Sequence, residues 1–241
     1  MKTTENMVLF WGKQDIYSNW HPASFEADGK LFANSEQYMM WRKATRFPGN
    51  QELAAAMLRT PDPAELKAMG RMVQNFVELV WRRERLDIMV AGCYAKFSWN
   101  SALRDELLAT GDRILVEASP YDRIWGIGLR ATDPDALDPT KWRGLNLLGQ
   151  ALMLVRDRLN AERQAQQRQA QLFAAIRLNA NYGSHPDGVL HDEELATLHE
   201  KVEAALATTN GDSGDCVITA RQLALLLGAA IESARNGGPI A

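Results

Sequence analysis

The chain has 241 residues, 46% hydrophobic and 24% charged, a composition suited to a soluble globular protein with one sizeable core and an appendage. Its formal net charge of −3 gives no electrostatic footprint for tight, non-specific DNA binding, so a nucleic-acid substrate would be gripped locally, at one nucleotide. No apolar run reaches the ~18 residues of a membrane span, and the polar start from Met1 to Asn6 carries no apolar signal region, so a cytoplasmic location is expected. Cys93 and Cys216 stand far apart with no metal-type spacing and read as reduced thiols.

In chain order, Val8 to Trp11 is a short apolar run, and Lys30 to Phe32 follows the turn signal Asp28-Gly29; both read as strands. Asn34 or Ser35 can cap a helix, with Gln37 as capping-box partner, running to about Arg46 before Phe47-Pro48-Gly49. Gln51 to Arg59 is Ala-rich and helical. Pro63 suits the first turn of another helix, which ends near Gly70. Val73 to Lys96 reads as one long helix, with Leu79, Leu86 and Val90 at helical spacing and arginines on the other faces. Ser101 to Ala109 is a further helix, Ile114 to Ala118 a strand leading into the loop Asp122 to Gly128, and Asn146 to about Ala180 mostly helix. The expected class is α+β: a mainly helical domain with a few short strands, plus a small C-terminal helical module.

The expected organisation is a domain over 1–160, a polar helical linker over 161–171 and a module over 172–241. The module contains a weak internal repeat, Asp187 to Leu195 paralleling Asp215 to Leu223, each copy entering a helical stretch. The first copy also resembles the second half of an EF-hand loop, with Asp187, Gly188, Leu190 and Glu194 in place. The two earlier ligand places fall on Gly183 and His185, and the second copy has Cys216 for the Gly and Gln222 for the Glu. Calcium binding is therefore not expected. The histidines His21, His185, His191 and His199 meet no zinc spacing, so no metal is expected either.

Glu36 and Lys43 are the leading chemical candidates. They stand seven residues apart on one predicted helix, which puts them on the same face. As isolated residues they would read as a solvated first-turn acid and a surface lysine. The flanking Tyr38, Met39, Met40 and Trp41 instead mark a largely buried helix, where a lysine loses hydration and its amine becomes a nucleophile. Such a pair suits cleavage of an N-glycosidic bond. A carboxylate can face the oxocarbenium-like state and activate water, or the lysine can add to the anomeric carbon and form a Schiff base with the opened sugar. Asp122 serves either as an Asx-turn residue or as a carboxylate for a sugar hydroxyl or a proton. Gly126 and Gly128 allow backbone approach to a ligand, and Trp125 can stack on a ring system; seven tryptophans exceed what a plain core needs. Trp81, Arg82, Arg83 and Lys96 form a second group. Arg82, Arg83 and Arg85 are expected to point mostly to solvent, with one able to reach a substrate phosphate.

A series of short motifs runs through the first part of the chain in one order: Tyr17-Ser18-Asn19-Trp20, Ser35-Glu36-Gln37-Tyr38 to Lys43-Ala44, and Ala95-Lys96-Phe97. Then follow Leu115-Val116-Glu117-Ala118-Ser119, Asp122 to Gly128, and Trp142-Arg143-Gly144-Leu145-Asn146. Together, from about Val8 to Leu159, they resemble the NADAR, or YbiA-like, family. The resemblance implies an N-glycosidase acting on ADP-ribose-type or riboflavin-precursor substrates. One branch of the family removes ADP-ribose from guanine in nucleic acid, and another hydrolyses early riboflavin-pathway intermediates. It places catalytic residues at Glu36 and Lys43, marks Lys96 as a ligand contact, and adds Asn19 and Asn146 as pocket residues. No cofactor is implied. The expected partner is a small nucleotide or ADP-ribosylated base, free or within nucleic acid, with a protein partner for the C-terminal module. The rival expectation is a non-catalytic pocket that holds ADP-ribose or a related nucleotide.

Overall fold

The structure is a computed structural model describing residues 1–182, with side chains to residue 170. Contacts divide the chain into two units, Met1–Asn160 and Ala161–Ala241. The repeat, its EF-hand likeness and most of the 172–241 module lie outside the described residues.

In the first unit, β1 (Lys2–Thr3) pairs antiparallel with β2 (Met7–Phe10), which pairs in parallel with β5 (Ile114–Glu117) in the register Leu9 with Val116 and Phe10 with Glu117. Side chains alternate across this small sheet. Val8, Phe10 and Leu115 enter the main core with the helices, whereas Met7, Leu9 and Val116 pack on the other face with Ile127, Leu129 and Ala136. The second sheet is a hairpin of β3 (Phe25–Ala27) and β4 (Lys30–Phe32). Asp28 and Gly29 both adopt positive φ at its tip, 51° and 67°, the backbone of a tight primed turn. The sequence signalled that turn and β4; β1 and β3 are too short and mixed to announce themselves.

The helices are α1 (Ser35–Arg46), α2 (Gln51–Arg59), α3 (Pro63–Met69), α4 (Glu78–Trp99), α5 (Ser101–Leu108) and α6 (Leu147–Tyr182). Asn34 caps α1 by accepting from the Gln37 amide at 2.9 Å. Gln37 does not return the favour to Asn34. Its Oε1 accepts from Ala33 N, and its Nε2 donates to carbonyls of Met57 and Thr60, so it ties the start of α1 to the end of α2.

Two expectations about the long helix are corrected. It begins at Glu78 rather than Val73, because Asn50 claims the preceding segment: Asn50 Oδ1 accepts from Gln74 N at 2.8 Å and Asn50 Nδ2 donates to Gln74 O at 3.0 Å. Side-chain bonding from a distant loop outcompetes helical propensity there. It also runs one turn past Lys96. The face that packs is Trp81, Arg85, Ile88, Met89, Gly92 and Lys96, so Leu79 is 79% exposed, while Leu86 and Val90 only flank the core. Among the described residues no helix is long and apolar enough to cross a membrane.

Candidate active site

Glu36 sits in the first turn of α1, a position that would ordinarily be solvated. Here it is 4% exposed. Its backbone amide donates to Asn19 O at 3.1 Å, and Asn19 and Trp20 bond its side chain, so the loop before β3 closes over the helix start. Burial pushes the carboxyl up to about 7; nearby Lys67 pulls it down, Asp122 pushes it up, and the Trp20 and Asn19 hydrogen bonds favour the charged form. A helix N-terminus alone would have held it ionised; loss of water outweighs that effect.

Asp122 is the Asx-turn residue that the sequence allowed. Oδ1 accepts from Ile124 N and Trp125 N, each at 2.8 Å, which is the Asx turn. Oδ2 lies 3.6 Å from Lys67 Nζ and acts electrostatically on Glu36. Lys67, on α3, went unrecognised in the sequence, as did Trp20. The only signal for Lys67 was a lysine on a helix otherwise short of cations.

Glu117, at the end of β5, is a buried acid that the sequence reading did not single out. It is 8% exposed, and its Oε2 is buried without a hydrogen-bond partner. Burial pushes its carboxyl up to about 8, helped by Asp122, Asp15 and Glu36 and opposed by Lys67. An acid ending an apolar strand, Ile114-Leu115-Val116-Glu117, was the available clue. Asn146 fixes it from behind: Asn146 Oδ1 accepts from Glu117 N at 3.0 Å and Nδ2 donates to Leu115 O at 2.9 Å. The Asn146 side chain thus extends the β5 ladder and braces the site. Gly126 packs on the same residue, and a Cβ there would lie 2.8 Å from Glu117 O and 3.1 Å from its Cγ. Gly128, with φ of 70°, turns the loop away beside Arg143. Trp125 is partly buried and packs against the main core.

Lys43 lies two turns along α1 from Glu36, a rise of about 10 Å at the helical repeat. Its Nζ donates to Gly70 O at 2.8 Å and sits over the rings of Phe76, at 4.3 Å, and buried Trp81, at 5.8 Å. Burial lowers its pKa, partly offset by Glu78. Glu36 and Lys43 therefore stand on one helix but answer to different neighbours.

Lys96 is 1% exposed. Its Nζ donates to Ile16 O at 2.7 Å and Ser18 O at 3.1 Å, anchoring the loop that carries Asn19 to α4, and burial pulls its pKa down to about 8. Arg82 and Arg83 are exposed, as expected. Arg85 corrects the reading of all three as solvent-facing: it is buried on the Trp81 face, and its Nε has no partner. Cys93 is buried, and burial pushes its thiol up to about 12, an unreactive state. Among the described residues no three His, Cys, Asp or Glu side chains are grouped to hold a metal ion.

Comparison with known proteins places this geometry among relatives. The NADAR domain matches residues 9–160. The chain is 38% identical over 165 residues to N-glycosidase R617 of Acanthamoeba polyphaga mimivirus, covering 64% of this chain and 96% of that protein. It is 28% identical over 214 residues to the riboflavin biosynthesis protein VVA0006 of Vibrio vulnificus, covering 85% of this chain and 54% of that one. Escherichia coli N-glycosidase YbiA is 28% identical over 162 residues, 66% of this chain and 92% of YbiA. Its NMR structure matches at a TM-score of 0.55 and 26% identity, covering 68% of this chain and 90% of that chain. With motifs, fold and the match over 9–160 in agreement, the chain belongs to the NADAR domain family.

Proposed function

We propose that this protein hydrolyses the N-glycosidic bond between a ribose, as ADP-ribose or ribose phosphate, and a nitrogen base. The reaction class, hydrolysis of N-glycosyl compounds, is that named for its relatives R617 and YbiA. The observation that carries the reading to this chain's residues is the buried Glu36 carboxyl, poised near neutrality by burial and held by Asn19 and Trp20. A group titrating near the working pH can serve as a base and still be a carboxylate for part of the population.

The chemistry follows from the charge that develops. As the C1′–N bond stretches, the ribose becomes oxocarbenium-like, and an ionised Glu36 lowers the energy of that state and takes a proton from the attacking water. Lys43 offers a covalent route. Its amine, partly stripped of water, adds to C1′ as the base leaves; the ring opens to a Schiff base, which water then hydrolyses. Asp122 orients a sugar hydroxyl with the oxygen not used in its turn. Trp125 offers a face to the base.

Two substrates fit the family reading: ADP-ribosylated guanine and a riboflavin-pathway intermediate. A relative named for riboflavin biosynthesis supports the second, and relatives named only as N-glycosidases leave room for the first. The test is a panel of ADP-ribosylated guanine in DNA, the ADP-ribosylated nucleoside, and the ribosylaminopyrimidine phosphate. Release of free ADP-ribose or ribose 5-phosphate under excess substrate is the expected result. Stoichiometric binding with no product across the panel would mean a nucleotide-holding module.

A further inference from the structure

We propose that Glu117 is the acid of this site: its protonated carboxyl donates to the departing nitrogen as the C1′–N bond breaks, which fits the site to neutral N-ribosides whose base cannot leave as an anion. This rests on the N-glycosidase reading above and deepens it.

The argument begins with the pleat of β5. Leu115 enters the main core and Val116 the opposite face, so Glu117 returns to the side where the helices lie. Its backbone cannot turn away. Glu117 N donates to Asn146, Glu117 O accepts from Ile127 N at 3.0 Å, and Gly126 packs on its side chain. The backbone is thus fixed and the carboxyl is buried, with Oε2 lacking any partner. Two more buried oxygens without partners, Asn19 Oδ1 and Ser35 Oγ, belong to residues flanking Glu36. Unused polar atoms on both flanks are what a polar ligand would complete.

Burial and the surrounding charges decide the protonation state. Burial acts first on Glu117, and Asp122, Asp15 and Glu36 add to it while Lys67 opposes; Asp15 is itself paired with the Met1 ammonium at 3.4 Å. A desolvated acid beside other carboxyls favours its neutral form, and a neutral acid is what a leaving nitrogen needs. Glu36 shares the same neighbours Asp122 and Lys67 but accepts hydrogen bonds from Trp20 and Asn19, which favour its anion. Two neighbouring carboxyls, one accepting hydrogen bonds that favour its anion and one with an unpartnered oxygen, divide into base and acid.

The step balances. The electron pair of the C1′–N bond goes to nitrogen, which takes the Glu117 proton and departs as the neutral base. Water gives its oxygen to C1′ and a proton to Glu36. Transfer of that proton to Glu117 through solvent restores both groups, with one water consumed. If Lys43 takes C1′ first, the departing base still needs the same proton.

The experiment compares Glu117→Gln and Glu117→Asp with the wild type on N-ribosides graded by the basicity of the leaving nitrogen. Glu117→Gln is expected to lower kcat by about 10²–10⁴-fold, the usual share of a general acid. KM should stay within a few-fold. Its rates should depend steeply on leaving-group basicity where the wild type's are nearly flat. The wild-type rate should fall as pH rises through about 8, and that limb should vanish in Glu117→Gln. Glu117→Asp should keep part of the activity and the limb. An infrared carboxylic-acid band in the free enzyme at neutral pH, with a component lost in Glu117→Gln but kept in Glu36→Gln, reads the proton without turnover. An unchanged leaving-group dependence, or no such band, overturns the proposal. Absence of turnover on every riboside in the wild type would instead overturn the glycosidase reading.

Discussion

At the scale of single residues, burial decides what each charged group can do. Glu36 and Lys43 were legible in the sequence because large apolar residues surround them, and the structure gives the physical form of that hint: both lose water and both shift toward neutrality. Glu36→Gln is expected to lower kcat by about 10²–10⁴-fold with binding nearly intact, since its charge acts on the transition state. Near-normal turnover with a raised KM would make it a binding residue only. If Lys43 is the nucleophile, borohydride added during turnover will leave a sugar-sized mass on its peptide. An adduct on Lys96, or an active Lys43→Ala enzyme, would transfer or remove that role. Trp125 is only partly buried against the core, so Trp125→Ala should weaken substrate binding by about 1–3 kcal/mol if stacking is its task. An unfolded variant would show that it serves the core instead.

The same burial makes stability depend on pH in a definite direction. Glu36 and Glu117 have folded values of about 7 and about 8 against 4.5 in the unfolded chain, so the folded state holds protons that the unfolded state releases between those limits. Their contribution is full below about 4.5 and is lost as pH rises through the folded values. Glu117→Gln cannot ionise, so its melting temperature should rise relative to the wild type on going from pH 5.5 to 8.5, by a few degrees. A constant difference across that range would show that Glu117 is not the group that titrates.

At the scale of elements, the site depends on side chains that complete backbone structure. Asn146, with φ of 53°, spends both side-chain atoms on β5, one on Glu117 N and one on Leu115 O. The sequence placed it beside the site but could not show that it does the work of a strand. Asn146→Ala should cost about 2–3 kcal/mol, two buried hydrogen bonds left half-made, seen as a lower urea midpoint and reduced activity. A stable variant with normal kcat would mean the ladder tolerates the loss. Lys96 acts alike at the other end, joining α4 to the loop that carries Asn19. The error over α4 belongs at this scale too. Propensity carried the helix back to Val73, and the Asn50 clasp on Gln74 stopped it.

At the scale of the whole molecule, the residues drawn into the site all belong to the unit Met1–Asn160, which is also where the NADAR match ends. Truncation after about Arg163 should therefore leave folded, active enzyme. A folded but inactive truncation would show that catalysis needs the remainder. Added calcium should not raise the melting temperature of the full chain, because the early acidic ligands of the repeat are missing.

The sequence by itself determined the family, the turn at Asp28-Gly29, a cap at Asn34 or Ser35, most helix bounds and the spacing that puts Glu36 and Lys43 on one face. These are matters of local spacing, and local spacing is written in one dimension. Tertiary structure alone decided that Glu36 is dry, that Lys67 and Glu117 stand with Asp122 around it, that Arg85 is buried, and that Lys43 rests on Phe76 and Gly70. Each of those depends on which distant segment displaces water, and desolvation has no periodicity to read along a chain.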